Sequence, residues 1–350
     1  MSAEPLLEVD DLHVSFVTEE GVVRAVDGVS FDLRAGEVLA VVGESGSGKS
    51  VTAMTLMGLT RSPNSRFEGR ALHRGQELVG ASEDELRKVR GAEIAMIFQD
   101  PMTSLNPVHR IGDQIIEQIR AHEDVSEVEA RERSIGLLEQ VGISRARERL
   151  DSYPFEFSGG MRQRVMIALA LSCDPSILIA DEPTTALDVT IQAQILQRIK
   201  ELRDETHTAV ILVTHDLGVV ADIADRIAVM YAGRIVEQGT LDEIFYDPQH
   251  PYTWGLLGSI ARVDRPRAGR LPAIAGLPPS LSDRPEGCHF RPRCPHEFDK
   301  CPQVPGLEAR LPDAPGHLDR CWLTPEQKRS CREVAPGEIG LGRTDGEVVA

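Results

Sequence analysis

The stretch Gly43–Ser50 reads GESGSGKS and fits the phosphate-binding pattern G-x-x-x-x-G-K-[ST]. Its glycines allow a tight turn in which backbone N–H groups point at phosphate oxygens. We expect Lys49 to reach the β- and γ-phosphates of a nucleotide and the Ser50 hydroxyl to hold Mg²⁺. The predicted nucleotide-binding set in this stretch is Gly43, Glu44, Ser45, Gly46, Ser47, Gly48, Lys49, Ser50 and Val51.

Two carboxylates and a histidine follow apolar runs further along the chain. Asp181 and Glu182 come directly after residues 176–180, and His215 follows residues 209–213. A carboxylate at the carboxyl end of a parallel strand lies where open α/β sheets bind ligands. Beside a phosphate loop, Asp181 is expected to hold Mg²⁺ through water and Glu182 to polarise the attacking water.

Two further features each have two interpretations. Ser158 is a good helix N-cap, and Gly159 and Gly160 leave the first amides of that helix open. The helix is therefore either an ordinary capped helix or a second anion-binding helix end. Phe16, just before a turn at residues 19–21, either stacks on adenine or fills the core.

These side chains require strands that end at one edge of a sheet. Short apolar runs predict buried strands at 37–42, 94–98, 176–180 and 209–213. A helix is predicted to follow the phosphate loop at 51–57, another to run from 186 to about 203, and a hairpin to close the domain at 226–237.

Two other segments complete the predicted α/β architecture. Residues 4–36 have the alternation of antiparallel strands, whereas residues 61–70 read as a loop. Between 110 and 150, apolar residues recur at helical spacing, which predicts a small helical subdomain.

Composition limits the partners. Formal net charge is −17, so the surface as a whole would repel the phosphates of nucleic acid, and no nucleic-acid partner is expected. The N-terminus lacks a signal-peptide pattern, and no apolar run approaches the roughly 18 residues of a membrane span. We therefore expect a cytosolic or peripheral protein whose six cysteines are not disulfide-bonded.

The chain changes character after residue 247. Of its 22 prolines, 15 lie from Pro248 onward, which predicts a loop-rich, metal-binding C-terminal appendage that needs the metal to stabilise it. Four cysteines in this region, Cys288, Cys294, Cys301 and Cys321, have the spacing C-x5-C-x6-C-x19-C. Structural zinc sites usually contain close C-x2–4-C pairs, so this spacing modestly favours a larger [4Fe–4S] cluster, with zinc as the alternative.

The other cysteines, and two histidines of the C-terminal region, are less favoured as metal ligands. Cys173 reads as a small core residue on the helix that begins at Ser158. Cys331 is the expected spare cysteine, although it could replace Cys321 as a ligand. His289 and His296 could contribute to a mixed zinc site, but exposed loop histidines are the favoured interpretation.

The motifs resemble, in type and order, those of ABC-type ATPases over residues 5–260. The resemblance implies a RecA-like P-loop core, an antiparallel β subdomain, a helical subdomain, and two subunits that enclose two ATP molecules. Gln99 would then sense Mg²⁺ and the membrane partner, Glu182 would be the catalytic base, and His215 would hold the γ-phosphate. The signature Ser158, Gly159, Gly160 and Met161 would contact the partner's ATP, with Met161 replacing the family's usual glutamine, and Asp188 would be the D-loop residue.

Segments 97–107, 250–253 and 287–295 resemble the ATP-binding subunits of oligopeptide/dipeptide permeases. This implies two transmembrane permease subunits, a second and different ATP-binding subunit, an extracytoplasmic peptide-binding protein, and a position on the cytoplasmic face of the inner membrane. Nickel or glutathione are alternative cargoes, and a soluble ABC ATPase of DNA repair or translation is a less favoured class. The resemblance also adds weight to the [4Fe–4S] assignment, because it implies that C-terminal regions of this subfamily with the same cysteine pattern bind such a cluster.

The predicted domains are an ATPase domain at 1–247, with its helical subdomain at about 100–172, and a C-terminal region at 248–330. Residues 331–350 are predicted to be a disordered tail.

Overall fold

The computed structural model describes residues 4–100, 104–184, 189–259 and 274–332. Elements of the first half are β1 (Leu7–Thr18), β2 (Gly21–Leu33), β3 (Val38–Val42), α1 (Lys49–Leu56), β4 (Ser65–His73), β5 (Gln76–Glu77), α2 (Glu83–Val89), β6 (Ile94–Ile97), α3 (Ile111–His122), α4 (Glu127–Gln140), α5 (Ala146–Arg149) and α6 (Gly159–Ala170). Those of the second half are β7 (Ile177–Asp181), α7 (Val189–Thr206), β8 (Ala209–Thr214), α8 (Leu217–Ile223), β9 (Arg226–Tyr231), β10 (Arg234–Thr240), α9 (Leu241–Tyr246), α10 (Pro251–Gly258), β11 (Glu308–Ala309), β12 (Leu318–Asp319) and α11 (Pro325–Cys331).

The larger sheet of the described residues has eight strands in the order β11-β12-β10-β9-β3-β8-β7-β6. Strands β9, β3, β8, β7 and β6 run parallel to one another. Every residue of β3, β7 and β8 is buried, as their apolar runs predict. The carboxyl ends of β3, β8, β7 and β6 therefore meet at one edge of the sheet.

An antiparallel sheet in the order β2-β1-β4-β5 packs beside this core. It confirms the predicted antiparallel strands but overturns the loop predicted over residues 61–70, because Ser65–His73 is the strand β4, paired with β1. Four of the nine residues of β4 are exposed, and only Ser65, Ala71 and His73 are buried. The strand is held by its hydrogen bonds to β1, and apolar periodicity alone does not indicate it.

Helices α3, α4 and α5 lie in the segment 110–150, where the spacing of apolar residues predicts helices, and α6 follows them. Ile115 and Ile119 of α3 and Leu138 of α4 are fully buried in the same hydrophobic cluster as residues of α6. Among the described residues, none of the helices combines the length and the apolar character that crossing a membrane requires.

The chain after residue 247 is joined to the core sheet instead of hanging from it as an appendage. Strand β12 pairs with β10, and the buried carboxylate of Glu237 accepts hydrogen bonds from the backbone amides of residues 249 and 250. The same carboxylate lies 2.8 Å from Nε2 of the buried His317. The buried Lys328 ammonium lies 2.7 Å from Asp319.

The C-terminal helix α11 runs into the segment predicted to be disordered. It ends at Cys331, and Arg332 pairs with Asp247 at 2.7 Å. The rest of the predicted tail, 333–350, lies outside the described residues.

Candidate functional site at the edge of the parallel sheet

The phosphate loop leaves β3 at Gly43 and enters α1 at Lys49. Gly43 and Gly48 have φ values of 155° and 103°. A Cβ atom at Gly43 would lie 2.1 Å from the carbonyl oxygen of Met230, and one at Gly48 would lie 2.5 Å from that of Ala25. Only glycine fits at these two positions, because the strands behind the loop touch its backbone.

Lys49 is buried within the loop. Its ammonium donates to the carbonyl oxygens of Gly43 at 2.8 Å and Glu44 at 3.0 Å. Burial lowers the pKa of Lys49, an effect opposed by the negative charges of Glu182, Asp181 and Glu44. The loop thus has one cation at its centre, where phosphate oxygens would lie.

The sheet topology brings the ends of four strands together. The Ser50 hydroxyl donates to Oδ1 of Asp181 at 2.9 Å, and the Gln99 amide donates to Oε2 of Glu182 at 3.0 Å. Nδ1 of His215 lies 3.1 Å from the other carboxylate oxygen of Glu182. The residues predicted from separate motifs therefore form one connected group.

Burial and backbone conformation affect the two neighbouring carboxylates, Asp181 and Glu182, in different ways. Burial raises the pKa of Asp181, partly offset by the Ser50 hydrogen bond and by Lys49. Glu182 has φ 47°, a left-handed conformation that is uncommon for a residue with a side chain, and its N–H donates to Val213 at 2.8 Å. This turn directs the Glu182 carboxylate back toward Gln99 and His215.

A cavity of about 540 Å³ lies beside this group and is lined by Gly43, Glu44, Ser45, Gln99, Glu182 and His215, among others. Leu256 and Ile274 of the C-terminal region also line it. The oxygen atoms of Ser50, Gln99 and Asp181 are the hard donors that Mg²⁺ prefers. The arrangement is suited to binding a nucleotide phosphate chain with its cation and to activating water beside it.

The remaining predicted site residues lie elsewhere. Phe16, on β1, lies opposite Val23 of β2 and is partly buried against the hydrophobic core. It is not among the residues that line the cavity. Ser158 caps α6 as predicted, with its hydroxyl accepting a long 3.4 Å bond from the Met161 N–H. Ser158, Gly159, Gly160 and Met161 are likewise not among the lining residues. Asp188 lies outside the described residues.

Two residues of the C-terminal region contact the phosphate loop, although sequence patterns did not assign them to it. The Tyr252 hydroxyl accepts the N–H of Glu44 at 2.9 Å, and the Arg293 guanidinium pairs with the Glu44 carboxylate. Both residues lie in the segments 250–253 and 287–295, which the resemblance had singled out. Nothing in their spacing indicates that they reach residue 44.

The cysteines Cys288, Cys294, Cys301 and Cys321 line one small cavity, together with aromatic side chains including Phe290, Phe298 and Trp322. Burial raises the pKa of the Cys294 and Cys321 thiols to about 12. Within the described residues, no group of three or more histidine, cysteine or carboxylate side chains is placed to hold a metal ion.

The structure bears on three minor predictions: it revises those for His289 and Cys173 and is consistent with that for Cys331. His289 is buried, with Nδ1 3.0 Å from the Ala232 carbonyl oxygen, so it is not an exposed loop histidine. Cys331 ends α11 and is not among the residues that line the cysteine cavity, whereas Cys321 is. Cys173 follows α6, which ends at residue 170, and is half-buried beside Gln118.

Comparison with known proteins is consistent with this geometry. Residues 26–185 match the model of the ABC transporter family, and residues 236–301 match that of the oligopeptide/dipeptide transporter C-terminal region. The chain is 53% identical over 325 residues to the oligopeptide transport ATP-binding protein OppD of Salmonella typhimurium, covering 93% of this chain and 96% of that protein. It is 53% identical over 337 residues to the dipeptide transport ATP-binding protein DppD of Bacillus subtilis, covering 96% and 99%.

Solved structures agree on the fold. The ATP-binding cassette MJ0796, a dimer in a post-hydrolysis state bound to ADP and Pi, superposes with a TM-score of 0.61 at 27% identity, covering 67% of this chain and 98% of that one. The predicted P-loop fold with mixed α/β sheets is thereby confirmed. The chain belongs to the ATP-hydrolysing subunits of ABC transporters, in the family that includes the oligopeptide and dipeptide transport ATP-binding proteins.

Proposed function

We propose that the chain hydrolyses ATP to energise the import of dipeptides or oligopeptides through a membrane ABC transporter. The observation that carries the hydrolytic assignment is the position of Glu182, whose two carboxylate oxygens contact Gln99 and His215 at the edge of the cavity. The cargo is supported by the names of its relatives, which are oligopeptide and dipeptide transport proteins.

The phosphate loop binds the nucleotide in this mechanism. The Lys49 ammonium, which donates to the carbonyl oxygens of Gly43 and Glu44, donates instead to oxygen atoms of the β- and γ-phosphates when the nucleotide binds. Ser50, Gln99 and Asp181 are the residues that would hold Mg²⁺, which neutralises phosphate charge when bound.

Glu182 acts as the catalytic base. Its carboxylate orients the attacking water and accepts its proton, while His215 bonds to the γ-phosphate. The contact between His215 and Glu182 keeps both groups on one side of the cavity. Phe16 stacks on adenine from the antiparallel sheet, in a role that complements its packing against the core.

The signature residues 158–161 serve the ATP of a partner subunit. Support comes from the exposure of Ser158 and Gly159 at the start of α6, where the open helix amides could meet a phosphate from outside this chain. Asp188 completes the same interface as the D-loop residue. The partner is a second, different ATP-binding subunit, and both act on two transmembrane permease subunits.

In this assignment residues 1–247 are the ATPase domain, with the helical subdomain at about 100–172, and residues 248–330 are the C-terminal region. The complex includes an extracytoplasmic peptide-binding protein, and the chain sits peripherally on the cytoplasmic face of the inner membrane.

We also assign a [4Fe–4S] cluster to Cys288, Cys294, Cys301 and Cys321. The donor chemistry fits, since four thiols line one cavity walled by aromatic side chains. The spacing of the four cysteines in sequence, which contains no close C-x2–4-C pair, favours a [4Fe–4S] cluster over a single zinc ion.

The transport assignment is tested with the complex of both ATP-binding subunits, both permeases and the peptide-binding protein in lipid vesicles. We expect dipeptides or oligopeptides to raise the ATPase rate and to accumulate inside. If only nickel or glutathione raised the ATPase rate, the cargo assignment would change but the transport role would stand. ATP hydrolysis at the same rate with and without the permeases would contradict coupling to transport.

A further inference from the structure

Two segments of the C-terminal region converge on a single residue of the phosphate loop. Tyr252, at the start of α10, accepts the backbone N–H of Glu44 at 2.9 Å. Arg293, just before Cys294, forms a bidentate pair with the carboxylate of the same residue, at 2.6 and 3.1 Å. Glu44 is therefore held at both its backbone and its side chain by residues more than 200 positions away.

The Arg293 guanidinium is held in place by hydrogen bonds from all three of its nitrogen atoms. Its side chain is only 5% exposed, Nε donates to the Ala275 carbonyl oxygen at 3.0 Å, and Nη1 donates to the Tyr231 hydroxyl at 3.3 Å. Nη2 also approaches the carbonyl oxygen of Ile274, a residue that lines the nucleotide cavity. A planar fork with fixed donors is the arrangement in which arginine binds a carboxylate most specifically.

The aromatic side chains around this pair are equally well packed. The rings of Tyr231 and Tyr252 lie 4.5 Å apart, and Phe290 packs edge-on against Tyr231 at 5.3 Å. Tyr252 is fully buried. These contacts exclude water from one side of the pair, so that the charges of Glu44 and Arg293 compensate each other instead of being screened.

A glutamate in a phosphate-binding loop presents an electrostatic problem. Glu44 lines the cavity, and its charge is close enough to contribute to the pKa of Lys49, the cation that must meet the phosphates. An uncompensated carboxylate there would repel a polyanionic ligand. Arg293 supplies the opposite charge from outside the ATPase domain.

We propose that Arg293 is a positioning residue for nucleotide binding, which neutralises Glu44 and thereby sets the affinity of the phosphate loop for polyphosphates. The C-terminal region is then part of the nucleotide site and not only a structural extension. This inference rests on the assignment of residues 43–50 as the phosphate-binding loop.

The test is equilibrium binding of ATP, ADP and AMP to the purified full chain carrying Arg293→Gln. We expect ATP to bind about tenfold more weakly, ADP to lose less affinity, and AMP to lose the least, because repulsion grows with phosphate charge. Removing the repelling carboxylate as well, in the double variant Glu44→Gln/Arg293→Gln, should restore most of the ATP affinity.

Arg332→Gln is the matched control. Like Arg293, Arg332 is a buried arginine in an ion pair, but its partner is Asp247 and not a residue of the phosphate loop. It should leave the order and size of the three affinities unchanged. An equal loss for all three nucleotides in Arg293→Gln, or a loss that Glu44→Gln does not restore, would overturn the proposal and indicate a merely structural role.

Lys49→Ala separates this inference from the function on which it rests. If Lys49→Ala abolishes ATP binding while Arg293→Gln has no effect, the phosphate loop stands and the role of Arg293 is rejected. If the unaltered chain binds none of the three nucleotides, the proposed function itself fails.

Discussion

The side-chain amide of Gln99 donates a 3.0 Å hydrogen bond to the carboxylate of Glu182, although 83 residues separate them in sequence. Gln99 follows β6 and Glu182 follows β7, and these strands are parallel neighbours. The contact therefore follows from strand order. It places Gln99 next to the proposed catalytic carboxylate.

Glu182→Gln should preserve ATP affinity and lower the hydrolysis rate of the assembled complex about 100-fold or more, because the amide cannot accept a proton from water. ATP binding and steady-state phosphate release measure the two effects. Glu201→Gln is the control, since Glu201 also accepts a hydrogen bond from a glutamine amide but is a half-exposed residue of α7. A hydrolysis rate close to that of the unaltered complex would remove Glu182 from the mechanism.

Gly159→Asp should leave ATP binding to the isolated chain unchanged and abolish hydrolysis by the complex. A Cβ atom at Gly159 would meet no atom within 4 Å, so we expect the fold to tolerate the change, but the added carboxylate would repel a phosphate approaching the start of α6. Gly136→Asp, at another open position on a helix, is the control. If Gly159→Asp weakened binding to the isolated chain, the signature would serve the chain's own nucleotide.

Protein purified without oxygen should be brown, absorb broadly in the visible range and contain about four irons per chain. Cys288→Ser or Cys294→Ser should bleach it and loosen the C-terminal region, with ATP binding largely retained. Cys331→Ser should keep the colour, because Cys331 is not among the residues that line the cysteine cavity. A colourless preparation that contains one zinc per chain and no iron would decide for zinc.

The buried pair of His317 and Glu237 predicts a pH-dependent stability. Burial lowers the pKa of His317, but the hydrogen bond and charge of Glu237 outweigh this and raise it overall. A folded-state pKa above the unfolded value of about 6.5 means that the pair stabilises the fold below that pH. This contribution is lost as the pH rises through the folded-state pKa.

Urea unfolding between about pH 6 and pH 9 measures this loss. His317→Gln should flatten the decline in the free energy of unfolding relative to the unaltered chain. His207→Gln, which changes an exposed histidine outside this cluster, should not flatten it. Parallel curves for the unaltered chain and His317→Gln would contradict the assigned pKa shift.

Much of the ATP site could be predicted from sequence because its signals are local. The glycines of the phosphate loop, the buried runs before Asp181 and His215, and the N-cap Ser158 each reflect the backbone within a few residues. Parallel strands then bring separate motifs to one edge, so their proximity followed without a structure. The roles of these residues in catalysis stay predictions that the experiments above address.

Tertiary structure alone decided the contacts made across long stretches of chain. Strand β4 forms because β1 offers it hydrogen-bond partners, and its polar sequence has no apolar period. His289 is buried because the turn at Ala232 accepts its ring N–H, a partner 57 residues away. The pairing of Arg293 with Glu44 likewise depends on how the C-terminal region packs over β9, since a charge in sequence does not specify which opposite charge the fold will bring beside it.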